Sequence, residues 1–326
     1  LIHKYLNLKK YLSFIMRQFV NFLSPFIKKW EDRFIKKYLL KPLKYQPVFI
    51  IGAPRTGSTI LYQVITNQLD ILYVNNLVCK FYKNLFFGFW LSDKLFKQKA
   101  HDCFKSDHGD TSTCGLNSPS ECGGFWYKWL RDDKHFIDYD EITDEIVHQI
   151  RDELTAVINY FDKPLIFKNL NAGQRMRLLH KCFPEAKFIF IKREPLFTAQ
   201  SILKAKRKEG LNDNDFWSIM PYNVEELKKL STYEQIVKQI YFLEKQILED
   251  SKLFDKKSLL SIDYKELGDD FENTVKKCQK FISTDEKTEF KKAEIKLREK
   301  VSLKEDEIKS FSQEIEKLDW ENYSDK

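Results

Sequence analysis

From residue 47 onward, short continuous apolar runs alternate with stretches in which apolar residues recur every three or four positions. Val48-Phe49-Ile50-Ile51, Leu165-Ile166-Phe167, Phe188-Ile189-Phe190-Ile191 and Leu259-Leu260-Ser261-Ile262 have the unbroken apolar character of strands buried on both faces. Residues 71–74 are a weaker strand candidate. The intervening periodicity predicts helices over about 58–68, 94–106, 143–161, 172–182, 196–208 and 271–281, with a charged helical tail from 287. Asn223-Val-Glu-Glu226 reads as a capping box that opens a long helix to about 249. Residues 107–124, rich in Ser, Thr, Gly and Asn, read as loop. Strands alternating with helices predict an α/β fold, a three-layer αβα sandwich around a central parallel sheet.

The first 44 residues follow a different pattern. Phe14, Ile15, Phe19, Val20, Phe22, Phe26, Ile27 and Trp30 recur between basic residues, which predicts one or two basic amphipathic helices. This segment holds eleven Lys and Arg against Glu31 and Asp32, a net charge of +9, whereas the other 282 residues sum to −2. The chain therefore divides into a basic helical extension, 1–46, and an α/β domain, 47–326. The favoured reading packs the extension on the domain with its lysines solvated; the sharper one lays it on an anionic membrane surface.

Composition narrows the classes further. With 43% hydrophobic and 32% charged residues among 326, the chain is globular rather than disordered. Ten Gly and nine Pro exclude collagen-like and linker-rich architectures. Six cysteines without a CxxC pair support neither a zinc ribbon nor a thioredoxin-like motif. The near-neutral main body excludes bulk nucleic-acid binding. No apolar stretch reaches the length of a membrane span, and the alternating basic and apolar start is not a secretory signal. These features point to a cytoplasmic protein with a membrane-associated variant of that reading; an upstream anchor stays open, because the first residue is Leu1 rather than Met.

The chemistry gathers at two strand ends. Gly52-Ala-Pro-Arg55-Thr56-Gly57-Ser58-Thr59 follows the first strand and opens a helix. That context gives a phosphate backbone N–H groups, a positive helix end and the hydroxyls of Thr56, Ser58 and Thr59, with Gly57 allowing close approach. The glycine spacing matches the nucleotide-binding P-loop, and the fold expected is P-loop NTPase-like. Ser58, however, stands where that motif has Lys, and the cation is Arg55. A Mg²⁺-dependent kinase also needs an acid at a second strand end, whereas two further strands end in Lys168-Asn169 and Lys192-Arg193; Asp263 is the one acid so placed. The second anion site is Arg193, whose planar fork suits a phosphate at the carboxyl edge of a parallel sheet. Pro195 suits a first helical turn, and Ser201 lies eight residues beyond Arg193.

The loop at 52–59 resembles the 5′-phosphosulfate loop of sulfotransferases that use 3′-phosphoadenosine 5′-phosphosulfate (PAPS), and Arg193 with Ser201 resembles their 3′-phosphate motif. Ser118-Pro-Ser-Glu121 is similar to a Ser-Pro-x-Glu segment of bacterial-type members. Phe183-Pro-Glu-Ala-Lys-Phe-Ile189 and Ile262-Asp-Tyr-Lys-Glu-Leu267 are similar to recurring segments; the likeness spans roughly 47–283. The Arg-Lys-Gly segment of the cytosolic hormone and phenol enzymes is missing. The resemblance implies PAPS as co-substrate, no metal, and a small-molecule, carbohydrate or lipid acceptor. It also implies that Arg55 holds the sulfonate and its bridging oxygen. Lys168 offers a second positive charge.

An acceptor hydroxyl needs a base. Glu121, in the loop segment just before Phe125-Trp126-Tyr127, is the first choice; His108 is the second, because several branches of the family use His. His101, Cys103, His108, Cys114 and Cys122 cluster without a standard zinc spacing, so free thiols are expected, with a Cys103–Cys114 disulfide as the oxidised alternative. The competing functions are a P-loop-type small-molecule kinase and a non-catalytic anion- or membrane-binding module.

Overall fold

The computed structural model describes residues 2–107, 109–291 and 300–325. A long helix α1 (Ile2–Leu39) leads into β1 (Val48–Ile51), α2 (Ser58–Gln68) and β2 (Leu72–Tyr73). Helices α3 (Asn76–Lys80) and α4 (Leu85–Phe96) precede a long irregular segment. Then come α5 (Asp144–Phe161), β3 (Leu165–Lys168), α6 (Met176–Cys182), β4 (Lys187–Lys192) and α7 (Pro195–Glu209). The remainder is α8 (Val224–Leu227), α9 (Thr232–Ser251), β5 (Leu259–Asp263), α10 (Tyr264–Asp269), α11 (Phe271–Ile282), α12 (Glu305–Glu316) and a small hairpin of β6 (Leu318–Asp319) and β7 (Ser324–Asp325).

The first five strands form one parallel sheet in the order β2-β3-β1-β4-β5. Side chains of a strand alternate between faces, and both faces here are covered. Phe49, stacked 5.6 Å from Phe167 and 5.9 Å from Phe188, faces the layer that contains α4, α5 and α6. Val48 and Ile50 face the layer of α2 and α11 with Ile166, Ile189 and Ile262. This double burial explains the continuous apolar runs of β1, β3 and β4, the edge strand β5 being only partly buried, and gives the three-layer α/β/α fold expected from them.

Helix α1 joins the first layer through its C-terminal part. Trp30, Phe34, Tyr38 and Leu39 pack against the core, and Ile35 is buried. Asn159 of α5 donates from Nδ2 to the carbonyls of Tyr38 and Lys41 at 3.0 and 3.2 Å, satisfying groups that a helix end leaves open. Glu31 is fully buried; it accepts from the Phe87 N–H and from Asn84 Nδ2, each at 2.9 Å.

Three expectations are corrected. The helix read at 94–106 is α4, which ends at Phe96 because Lys97 and Gln98 both turn left-handed (φ 51° and 56°). The Asn223 capping box does not form: its side chain makes no cap hydrogen bond and only the short α8 follows it, while the long helix α9 starts afresh at Ser231, whose hydroxyl accepts from the Glu234 N–H. The charged tail is helical only from Glu305: residues 287–291 are not helix, and 292–299 lie outside the described residues.

Burial, with Glu153 nearby, pushes the Glu31 carboxyl up to about 7. The folded value lies above the unfolded one, so the native state binds more protons between about 4.5 and 7. Stability should therefore fall as pH rises through that window and level off above it. Glu31→Gln should flatten this part of the profile by about 1–3 kcal/mol. Denaturant unfolding of both proteins at pH 5, 6, 7 and 8 checks this.

Candidate active site

Strand β1 lies between β3 and β4, so the loop that follows β1 is flanked by the carboxyl ends of both. Two glycines shape this loop. Gly52 has φ +151°, and a Cβ there would come within 2.5 Å of the Ile191 carbonyl oxygen. Gly57 has φ +88°, and its Cβ would lie 2.3 Å from the Tyr264 ring. Arg55 is also left-handed, at φ 71°, a conformation that costs a non-glycine residue energy. Buried Thr56 donates from Oγ1 to the Ala53 carbonyl at 2.8 Å and closes the turn. Ser58, also buried, opens α2, whose first turn contributes orphan N–H groups.

The expected site residues fall into two groups around this loop. On the β4 side, Arg55 Nε donates to Ser201 Oγ at 2.8 Å, and Arg193 Nη1 donates to the Arg55 carbonyl at 3.2 Å. The Arg193 guanidinium stands 4.4 Å over the Tyr264 ring, and that of Arg55 5.7 Å over Trp217. On the β3 side, Lys168 is 2% exposed although it is charged. Its ammonium donates to Thr59 Oγ1 at 3.1 Å and pairs with Glu121 Oε1. The Thr59 hydroxyl also reaches Glu121 Oε1, at 3.4 Å. Asn169 fixes the backbone here, donating to the carbonyls of Glu121 and Cys122 at 3.1 and 3.4 Å. Glu121 keeps a partly exposed side chain, open enough to meet a ligand.

His108 lies outside the described residues, so its place relative to Glu121 is not part of the geometry. Its neighbour Gly109 packs on Glu121: a Cβ at Gly109 would come 2.1 Å from Oε1. The segment that carries Gly109 is closed by a Cys103–Cys114 disulfide, which corrects the expectation of free thiols at these two positions. The His101 ring is occupied by Thr66 Oγ1 and the Cys103 N–H. No cluster of three or more metal-binding side chains forms among the described residues.

Some contacts and residues escaped the sequence reading. Thr59, expected only as a loop hydroxyl, also links the loop helix to both Lys168 and Glu121, a contact that no spacing announces. Tyr264, just past the last strand, floors Gly57 and Arg193 together. Arg175 is wholly buried beside Trp126 and Tyr127, its guanidinium 5.2 and 5.7 Å from their rings. Burial pushes it down to about 10, against the opposing pull of the Tyr127 hydroxyl. His135, whose carbonyl accepts from Arg175 Nε, is pushed down to about 4 by burial and then by that same cation. The aromatic run after Glu121 is thus split: Phe125 and Trp126 belong to the core, and only Tyr127 reaches the surface.

A parallel sheet with a glycine-bounded loop after its central strand, and cations closing the strands on either side, defines an α/β fold that presents an anion-binding loop at its carboxyl edge. Residues 47–287 match the model of the sulfotransferase family, and the chain belongs to that family. Among solved structures it is similar to the sulfotransferase STF9 from Mycobacterium avium, with 14% identity and a TM-score of 0.48 over 76% of this chain and 66% of that one. It is also similar to STF1 from Mycobacterium tuberculosis H37Rv, with 14% identity and a TM-score of 0.44 over 89% and 75% of the two chains. A sulfotransferase from Alicyclobacillus acidocaldarius aligns with 13% identity and a TM-score of 0.43 over 83% and 93%. No curated protein matches the chain.

The two loop glycines differ from Gly115, where a Cβ would meet nothing within 4 Å although φ is +100°. Gly115→Ala should cost only the strained backbone at φ +100° and ψ −179°, about 1–3 kcal/mol. Gly57→Ala should cost more, since the Tyr264 ring must move. Thermal melts and calorimetry on the two variants measure both effects.

Proposed function

We propose that the protein is a sulfotransferase that moves a sulfuryl group from PAPS to a hydroxyl or amine acceptor by in-line displacement. The observation that carries this reading is the buried Lys168 ammonium, bonded at once to the Thr59 hydroxyl of the phosphate loop and to the Glu121 carboxylate. It joins the donor loop, a charge-neutralising cation and a base in one connected group. Transfer of a sulfuryl group needs these three parts and little else.

The residues present fit the donor. Gly52 and Gly57 leave a cradle that a Cβ would fill, and the groups around it are donors and cations. When bound, PAPS supplies an electrophilic sulfur and a stable leaving phosphate. Thr56, Gly57, Ser58 and Thr59 would hold the 5′ side; Arg193 and Ser201 would hold the 3′-phosphate. Arg55, which bonds Ser201 in this structure, would turn its guanidinium to the sulfonate and bridging oxygen. Lys168 would neutralise the charge that gathers as the S–O bond breaks. Glu121 would take the acceptor proton as the new O–S or N–S bond forms, and His108 is the second choice for that role. The strands on either side of β1 end in Lys168 and, one residue past β4, Arg193, so charge reaches the reacting group without a metal bridge.

Sulfuryl transfer is favoured over the P-loop kinase because Ser58 takes the place of the P-loop lysine. The non-catalytic alternative predicts that the loop can be mutated without loss. Acceptors within reach of this reading are small molecules, carbohydrates and lipids. No helix among the described residues is long and apolar enough to cross a membrane.

Transfer from labelled PAPS to a panel of hydroxyl and amine acceptors tests the proposal, and activity should survive EDTA. Glu121→Gln should retain adenosine 3′,5′-bisphosphate binding and cut turnover by about 10²–10⁴-fold. Arg193→Ala should cost about 2–4 kcal/mol in affinity for that ligand and little for adenosine 5′-phosphate. Tight binding of ATP with Mg²⁺, together with loss of activity on chelation, would instead identify a kinase.

A further inference from the structure

Helix α1 changes character along its length. Its inner face, from Trp30 to Leu39, is docked on the domain. On the face turned away, Ile15, Phe19, Phe22 and Phe26 are 46%, 57%, 70% and 65% exposed. Their spacing of four, three and four residues sets them in one line along the helix. At the same spacing the line continues as Lys29, Arg33, Lys36 and Lys37, all exposed. No acid interrupts it: Glu31 is buried, and Asp32 pairs with Lys28 at 3.2 Å. The sequence before the apolar stripe is basic as well, with Lys4, Lys9 and Lys10.

A solvated helix face carries polar side chains, so three exposed phenylalanines in one line call for a covering surface. The flanking charge selects the kind of surface. Basic residues at both ends of the stripe would repel a second copy of the same helix. The same layout matches a lipid bilayer, where the apolar stripe enters the acyl boundary and the flanking lysines and arginines meet anionic headgroups.

We propose that α1 lies along the surface of an anionic phospholipid bilayer, seating Phe19, Phe22 and Phe26 below the headgroups, with Lys29, Arg33, Lys36 and Lys37 among the phosphates. The contact is peripheral, and it is independent of the sulfuryl-transfer reading, since it uses no residue of the candidate active site.

Flotation of the full chain with vesicles of phosphatidylcholine, alone or with one part in three of phosphatidylglycerol, tests the proposal. The protein should bind the anionic vesicles at least about tenfold more strongly than the neutral ones, and salt should weaken that preference. Phe19→Ser, Phe22→Ser and Phe26→Ser combined should abolish binding to both, and Phe22→Ser alone should reduce it. Lys29→Gln, Arg33→Gln, Lys36→Gln and Lys37→Gln combined should remove the preference for anionic lipid. Circular dichroism and adenosine 3′,5′-bisphosphate affinity should stay unchanged in all of them, separating lost docking from lost folding. Failure of the unaltered protein to bind either vesicle would overturn the proposal, as would a triple serine variant that floats like the original. A dimer that these three substitutions dissociate, in a protein indifferent to vesicles, would assign the stripe to a second copy.

Discussion

The ion pair between Lys168 and Glu121 is the contact on which the candidate site turns. A lysine 2% exposed is costly unless its charge is matched and its donors are used. Here the match comes from a loop more than forty residues upstream, and a third partner comes from the first turn of α2. Three chain segments distant in sequence are thereby held at one point of the sheet edge.

The sheet makes this arrangement available. With β1 between β3 and β4, the two strands that end in cations stand on either side of the phosphate loop. Their apolar bodies are interchangeable in character, being buried on both faces. The residues that differ in function sit just where the strands stop, as expected when loops carry chemistry and strands carry stability.

This division also explains what the sequence disclosed. The apolar runs of β1, β3 and β4 were legible because burial on both faces leaves little room for polar residues, whereas the run at β5 lies on a part-exposed edge strand; the loop at 52–59 was legible because close backbone approach demands glycine. Arg193 and Ser201 were readable by their place after a strand. The partnership of Thr59 with Lys168 and Glu121 was not, because it depends on how a helix start meets a neighbouring strand end and a distant loop. Nor was the end of α4 legible at Lys97, where a residue type common in helices adopts a left-handed turn under tertiary constraint. Asn223 misled for a similar reason: its side chain makes no cap hydrogen bond, and the chain turned again after one helical turn and restarted at Ser231. On α1, helical periodicity was visible, but which of its two apolar faces is docked depends on contacts with α4 and α5.

The close seat of Gly109 against Glu121 couples two positions that are twelve residues apart in sequence. Any side chain at 109 would press on the carboxylate that Lys168 holds, so mutational freedom at this loop position is tied to the geometry of that ion pair. The nearby disulfide shortens the free path of the same segment. In an oxidising setting the loop is tethered on both sides of Gly109; in a reducing one it would rest on Glu121 by packing alone. Drift in this lineage should therefore spare the glycine longer than the cysteines, because a lost cross-link loosens the loop whereas an added methyl group would displace the Glu121 carboxylate.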